Sequence, residues 1–243
     1  MRRHLLLAAA VAACTVATAQ AAPNLVMNGN FAQSSYTSNS EFGAAYGGQG
    51  VTGWTGNNGF NLYFFNSTAT TVSAASQYPS QPQDLWGTST FGGTSPTGDN
   101  FVGLDGDQSA GIQSEISQMV GGLTAGDQYT LDFTWAATQV QSRTGATTES
   151  LVASLGAQSF STPVVNNPSQ GFTGWFNQSF TFTASAASEV LSFFSVGTPQ
   201  GLPPMAALTD VSLTQNVPEP ASLALLGAGL GALGLLARRR SAA

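Results

Sequence analysis

Gln128-Tyr129-Thr130-Leu131-Asp132-Phe133-Thr134-Trp135 is the stretch that decides the fold. Its large apolar side chains fall on every second residue, Tyr129, Leu131, Phe133 and Trp135, with Thr130, Asp132 and Thr134 between them. A strand points successive side chains to opposite faces, so this period of two describes a strand with one face on a core. Such half-buried strands belong to antiparallel sheets. Downstream, Leu151, Ala153 and Leu155 repeat the pattern, and Gly156-Ala157 reads as a hairpin turn into Gln158–Ser161. Phe180 and Phe182 alternate again, Val190–Val196 is a more apolar strand, and Leu208–Thr214 closes the domain with Val211 and Leu213 facing in. Upstream, Ile116–Val120 precedes a turn at Leu123–Asp127, Asn100–Asp105 is a short apolar run, and Phe60–Phe65 is aromatic-rich. Leu25 and Met27 suggest a first strand before a turn at Asn28-Gly29-Asn30. Asn66–Gly98 is rich in Ser, Thr, Gln and Pro and reads as a surface insertion. The expected fold class is all-β, a two-sheet jelly-roll-like sandwich over residues 22–216.

Both ends carry segments of another kind. Met1-Arg2-Arg3-His4, an apolar core from Leu5 to about Val16 and Ala19-Gln20-Ala21 have the layout of a secretory signal peptide over residues 1–21, with Ala22 first in the mature chain. Two other readings compete: Val11-Ala12-Ala13-Cys14 as a lipobox with a lipidated Cys14, and Arg2-Arg3 as a twin-arginine signal. At the other end, Val217-Pro218-Glu219-Pro220 precedes an uncharged run of Leu, Ala and Gly over 221–237, then Arg238-Arg239-Arg240. As a helix that run reaches roughly 25 Å, just short of the usual ~30 Å hydrocarbon core. The arginines would hold the C-terminus on the cytoplasmic side, and the two prolines keep the segment before the helix extended. The expected flanks of the sandwich are therefore a signal helix and a transmembrane helix. Gly227 and Gly231 form a small-residue seam on that helix, a spacing that Gly/Ala-rich segments produce easily.

The order Pro-Glu-Pro, apolar span, arginine cluster resembles the PEP-CTERM sorting signal of Gram-negative bacteria, the substrate of exosortases. That resemblance implies export through the secretion machinery, transient residence in the inner membrane, and cleavage by an exosortase-like membrane protease. The protein would then reach the cell surface or extracellular matrix. A permanent tail anchor is the alternative that the same physics allows. Scattered pieces of the domain also resemble galactose-binding-like sandwich domains: Asn24-Leu25-Val26, Asn28-Gly29-Asn30-Phe31, Gly53-Trp54, Ile116-Ser117-Gln118 through Tyr129-Thr130-Leu131, and Asp210-Val211-Ser212-Leu213. Such relatives commonly place an acidic residue after Gly-x-Phe, where this chain has Ala32. That departure argues against a structural calcium, although Asp210 remains, and no other cofactor is expected.

Composition excludes much chemistry. The chain has no lysine, and its only histidine, His4, lies in the signal segment. No Ser-His-Asp or Cys-His nucleophile, His- or Cys-ligated zinc site or P-loop can be built on the mature domain. Between Ala22 and Asn216, eleven acidic side chains face a single basic one, Arg143, for a net charge of −10. A surface of that sign repels nucleic acid. An enzyme built here would need carboxylates, Glu41, Glu115, Glu149 or Glu189 among them, in a converging pair; the expectation is no catalytic residue. Asp105-Gly106-Asp107 with Ser109 and Glu115 has the oxygen content of a calcium loop. Ala110 and Ile116 occupy the positions that need Gly and Glu, so a solvated turn is expected instead, and no metal site. For polysaccharide, Trp86, Trp175 and Tyr78 are the aromatic candidates, weighed against loop packing.

Overall fold

The computed structural model describes residues 21–43, 50–70, 74, 83–87, 94–216 and 227–230. The chain divides into two units, Pro23–Asn216 and a second one made of its two ends. Among the described residues, twelve strands build the first: β1 (Ser40–Phe42), β2 (Thr55–Asn58), β3 (Asn61–Phe64), β4 (Phe101–Asp105), β5 (Glu115–Gly121) and β6 (Gln128–Gln139), then β7 (Thr147–Leu155), β8 (Gln158–Ser161), β9 (Val165–Asn167), β10 (Phe176–Thr183), β11 (Ser188–Thr198) and β12 (Pro204–Gln215). One sheet runs β1-β3-β4-β12-β6-β10, and the other runs β2-β5-β11-β7-β8 with β9 also paired to β7. Within these, β4-β12-β6-β10 faces β5-β11-β7-β8, so the chain crosses from sheet to sheet as it winds. That is jelly-roll topology, as the alternating pattern leads one to expect.

Tyr129, Leu131, Phe133 and Trp135 all point between the sheets, where they meet Leu151, Ala153, Leu191, Phe193 and Leu208. The opposite face of the first sheet is also covered. Leu62, Phe64, Phe101, Ala136, Val140, Met205 and Ala207 form a second core with Leu85 and Ala74 of the 66–98 segment. The described part of that segment is therefore not the surface insertion its polar composition suggests. Its apolar residues Ala69, Ala74 and Leu85 pack on this sheet face, and β3 and β4 are buried on both sides as a result.

The expected strand at Leu25 and Met27 does not form. Val26 is the buried residue at 6 % exposure, and Met27 is 58 % exposed. Side chains replace the ladder here: Gln118 accepts from Met27 N and donates to Met27 O and Gly53 O. Asn24 Oδ1 accepts from Leu213 N, and Leu25 N donates to Leu213 O. The segment is thus a strap along β12, which bulges between Thr209 and Ser212 with Asp210 at φ +53°.

Of the expected membrane helix, only residues 227–230 are described, and they are helical. Among the described residues no helix is long and apolar enough to cross a membrane. Ala19, the sorting residues Val217, Pro218, Glu219 and Pro220, and Arg238, Arg239 and Arg240 lie outside the described residues. Ala21 and Ala22 carry no regular structure.

Candidate functional site

Antiparallel winding brings the β4–β5, β6–β7 and β11–β12 connections to one end of the sandwich. The first is stitched to the last: Gly197 N donates to Gly106 O at 2.9 Å, and Gly106 N donates to Pro204 O at 2.7 Å. A Cβ at Gly106 would lie 2.7 Å from Gly197 N, so only glycine allows this approach. From the 66–98 segment, Leu85 bridges to Val140 and Trp86 N donates to Gln139 O. Between these pieces opens a cavity of about 250 Å³. Phe60, Ile112, Val140 and Pro203 supply its apolar wall; Asp105, Asp107, Gln83, Ser142 and Arg143 supply its polar groups.

The Asp105-Gly106-Asp107 turn is not solvated, contrary to the expectation: Asp105 is 1 % and Asp107 4 % exposed. Loop closure from the β11–β12 side covers it. Asp107 spends its carboxylate as a brace, accepting from Ser109 N and Oγ on Oδ1 and from Gly201 N at 2.6 Å on Oδ2. Burial works against its charge, but the bonds from the Ser109 hydroxyl, Gly201 N and Ser109 N outweigh it and hold the carboxyl below its ordinary value. Asp105 has less help. Burial pushes its pKa up to about 8, the bond from Asp107 N opposes this, and the Asp107 charge adds to it. At neutral pH Asp105 is thus a neutral acid that can donate a proton to a ligand, beside a carboxylate whose oxygens are already engaged.

Of the aromatic candidates, Trp175 belongs to the second core, edge-on to Phe101 and Phe172, with Nε1 donating to Thr94 O at 3.0 Å. Trp86 is half-buried, its carbonyl accepts from Thr138 Oγ1, and its indole N–H is buried without a partner. Neither lines the cavity. Tyr78 lies outside the described residues. Glu41, Glu115, Glu149 and Glu189 are distributed over β1, β5, β7 and β11, and none lines the cavity either. The sequence reading did not assemble the pocket, although its one strong signal, a lone arginine in an acidic domain, is plain in the chain.

Among the described residues no group of three or more acidic, His or Cys side chains could hold a metal ion. The relevant pair is Asp99, which accepts from Asn30 Nδ2, and Asp210, which accepts from Thr97 Oγ1. Burial raises the Asp210 pKa, the Thr97 bond opposes this, and the Asp99 charge adds to the rise.

Residues 216–240 match the PEP-CTERM protein-sorting motif, and the chain carries that motif directly after its sandwich. A motif of this kind marks a chain for export and sorting to the cell surface. No characterised protein matches the chain in sequence. Among solved structures the sandwich is similar to carbohydrate-binding modules. TmCBM61 in complex with β-1,4-galactotriose is 17 % identical, over 80 % of this chain and 99 % of that one, at a TM-score of 0.40. A CBM4 is 14 % identical over 79 % and 99 % at 0.36. The CBM22-1 xylan-binding domain from Paenibacillus barcinonensis Xyn10C is 8 % identical over 82 % and 97 % at 0.37. Likeness at that level leaves the ligand to be read from this chain's own residues.

Proposed function

We propose that this is an exported, non-enzymatic protein of the cell surface or extracellular matrix, whose sandwich binds carbohydrate in the loop-end pocket. In this reading the secretion machinery passes the chain across the inner membrane, the 221–237 run holds it there, and an exosortase-like protease cuts at Val217-Pro218-Glu219-Pro220. The observation that carries it is the sorting motif over 216–240 joined to a domain with a half-apolar, half-polar pocket. Sugar rings offer an apolar C–H face and a rim of hydroxyls, and this pocket offers both Phe60, Val140 and Pro203 and the polar Gln83, Ser142 and Asp105. A glycosidase needs two working carboxylates across a cleft. Here Asp107 is committed to three hydrogen bonds, which leaves Asp105 alone.

Sorting is tested by the intact mass of the protein from its native cells. The mature form is expected to begin near Ala22 and to lack Arg238–Arg240. A variant with Pro218, Glu219 and Pro220 all changed to Ala should retain them; equal C-termini in the two would overturn cleavage. Binding is tested on a polysaccharide array. Ser142 is exposed on the pocket rim, so Ser142→Trp should block the pocket while leaving the fold intact. Array signals unmoved by that change would place any sugar elsewhere.

A further inference from the structure

We propose that the free edge of β10 pairs with the same edge of a second copy of this chain, antiparallel, about a twofold axis through Ser179. This pairing is independent of the pocket and of what it binds. A sheet edge carries a row of unpaired N–H and C=O groups, and proteins shield such edges by keeping them short, charged or bulged. Among the described residues the other edge strands are short. β1 and β9 have three residues, β8 has four, and β2 has four with a register shift between Gly56 and Asn58. β10 has eight, in unbroken register with β6 from Phe176 opposite Trp135 to Thr183 opposite Gln128, and it contains no charged residue or proline.

One clasp gives the direction of the free groups. Gln158 on β8 donates from Nε2 to Thr183 O at 2.9 Å and accepts from Thr183 N at 3.1 Å, so Thr183 turns both backbone groups away from β6. Alternate residues of an antiparallel strand point their backbone groups the same way, so Thr181, Ser179 and Asn177 do likewise. Among the described residues the protein group bonded to these six is the neighbouring Gln178 amide, on Ser179 O at 3.2 Å. A twofold axis through Ser179 uses all six. Ser179 exchanges both bonds with its own copy, and Asn177 exchanges both with Thr181 on either side. The free run ends at the Gln158 clasp, where the symmetric pairing also ends. The same axis sets Phe176, 38 % exposed, opposite Phe182 of the second copy, against which Phe160, 41 % exposed, stands edge-on at 5.1 Å. Aromatic pairs of this kind stabilise neighbouring strands.

Charge points to a second copy as the occupant. From Ser150 to Ser188, the stretch that makes β8, β9 and β10, there is no charged side chain, in a domain whose net charge is −10. Two such domains repel each other, and this uncharged side is where they can approach. A basic partner would find no acid on the edge to pair with. The acid on the neighbouring strand, Asp132, lies opposite Ser179. Across the pair the two Asp132 residues stand three strand spacings apart, about 14 Å, which exceeds the Debye length of about 10 Å at 0.1 M salt.

The test is cross-linking of the full chain. Its one cysteine is Cys14, so single cysteines can be placed on the edge in a Cys14→Ser background. Hydrogen-bonded antiparallel residues have Cα atoms about 5.5 Å apart, within disulfide reach. Ser179→Cys is therefore expected to link into a dimer on mild oxidation. Asn177→Cys and Thr181→Cys should link to each other when mixed and neither to itself, because each lies four residues, about 14 Å, from its own copy. Sedimentation of the chain recovered from its native cells should show an association that strengthens with salt as repulsion is screened. Ser179 is exposed, so Ser179→Lys should keep the native melting temperature. By setting like charges opposite each other it should weaken association about fivefold. A monomer at every salt concentration, or Asn177→Cys linking to itself as readily as Ser179→Cys does, overturns the inference. So does an association that salt weakens, which would mark an oppositely charged partner. An association that Ser179→Lys leaves unchanged also overturns it, as joining through the apolar 221–237 run would give.

Discussion

Gly29 carries no ligand and yet holds the N-terminal strap in place. A Cβ built on it would lie 1.9 Å from Val211 O, on a bulged part of β12 that cannot retreat without losing the Val211 N to Gly29 O bond of 3.0 Å. Gly29→Ala is expected to cost about 1–3 kcal/mol, the usual scale of overpacking, seen as a lower urea midpoint. Glu149 presents the reverse case. It is 0 % exposed, its Oε1 accepts from the Thr147 hydroxyl, and its Oε2 has no partner, nor does Asn167 Oδ1. Burial lifts its pKa to about 8 against the opposing Thr147 bond and the weaker pull of the nearby Asn167 amide, which is spent on Gly171 O, so at pH 7 the fold keeps it protonated at a cost in free energy. Glu149→Gln supplies a neutral side chain with two N–H donors for the same space. It should raise the midpoint at pH 7 and leave it nearly unchanged at pH 4; a lower midpoint at pH 7 would show that the carboxyl is stabilising.

At the scale of elements, the 66–98 segment is where sequence and structure part. Its packing role is barely hinted at because polar residues outnumber Ala69, Ala74 and Leu85, the described positions that join the second core. Trp175 shows the same division. A Gly-flanked tryptophan before β10 looks like a ligand platform, but Phe101 and Phe172 on either side and Thr94 O at its N–H give the ring a structural task. Trp175→Ala is therefore expected to cost about 3–5 kcal/mol of stability, as large-to-small core changes do, and to leave sugar affinity of the folded fraction unchanged. Loss of affinity at full folding would return Trp175 to the site. Strands β5, β6 and β7 were legible because their inner faces obey a period of two, from Tyr129 to Trp135 above all, and β4 as a short apolar run. The strap was not, because Gln118 and Asn24 satisfy its backbone from the side chain, which no period records. The pocket was not either, since Phe60, Asp105, Arg143 and Pro203 meet only after the chain has wound twice between the sheets.

At the scale of the whole molecule, a sandwich without lysine or histidine leaves carboxylates to govern how its stability follows pH. Asp105 and Glu149 both have folded-state pKa values of about 8, against about 4 for the same groups in the unfolded chain. Between those limits the folded state binds more protons than the unfolded one, so stability falls as pH rises, by up to about 1.4 kcal/mol per pH unit for each group. The contribution is whole below pH 4 and gone once the folded groups ionise above 8. Asp107 works in the other direction: its lowered pKa adds stability that is present above the ordinary carboxylate range and lost as pH falls through the folded value. Repulsion within a domain of net charge −10 also eases as exposed carboxylates gain protons. The melting temperature should therefore peak near pH 4–5, fall steadily to pH 8 and level off above it. The Asp105→Asn, Glu149→Gln double variant should flatten most of that slope, because each amide keeps the neutral form at every pH. A native profile level between pH 5 and 8 would mean that both carboxyls reach water and ionise in the folded chain.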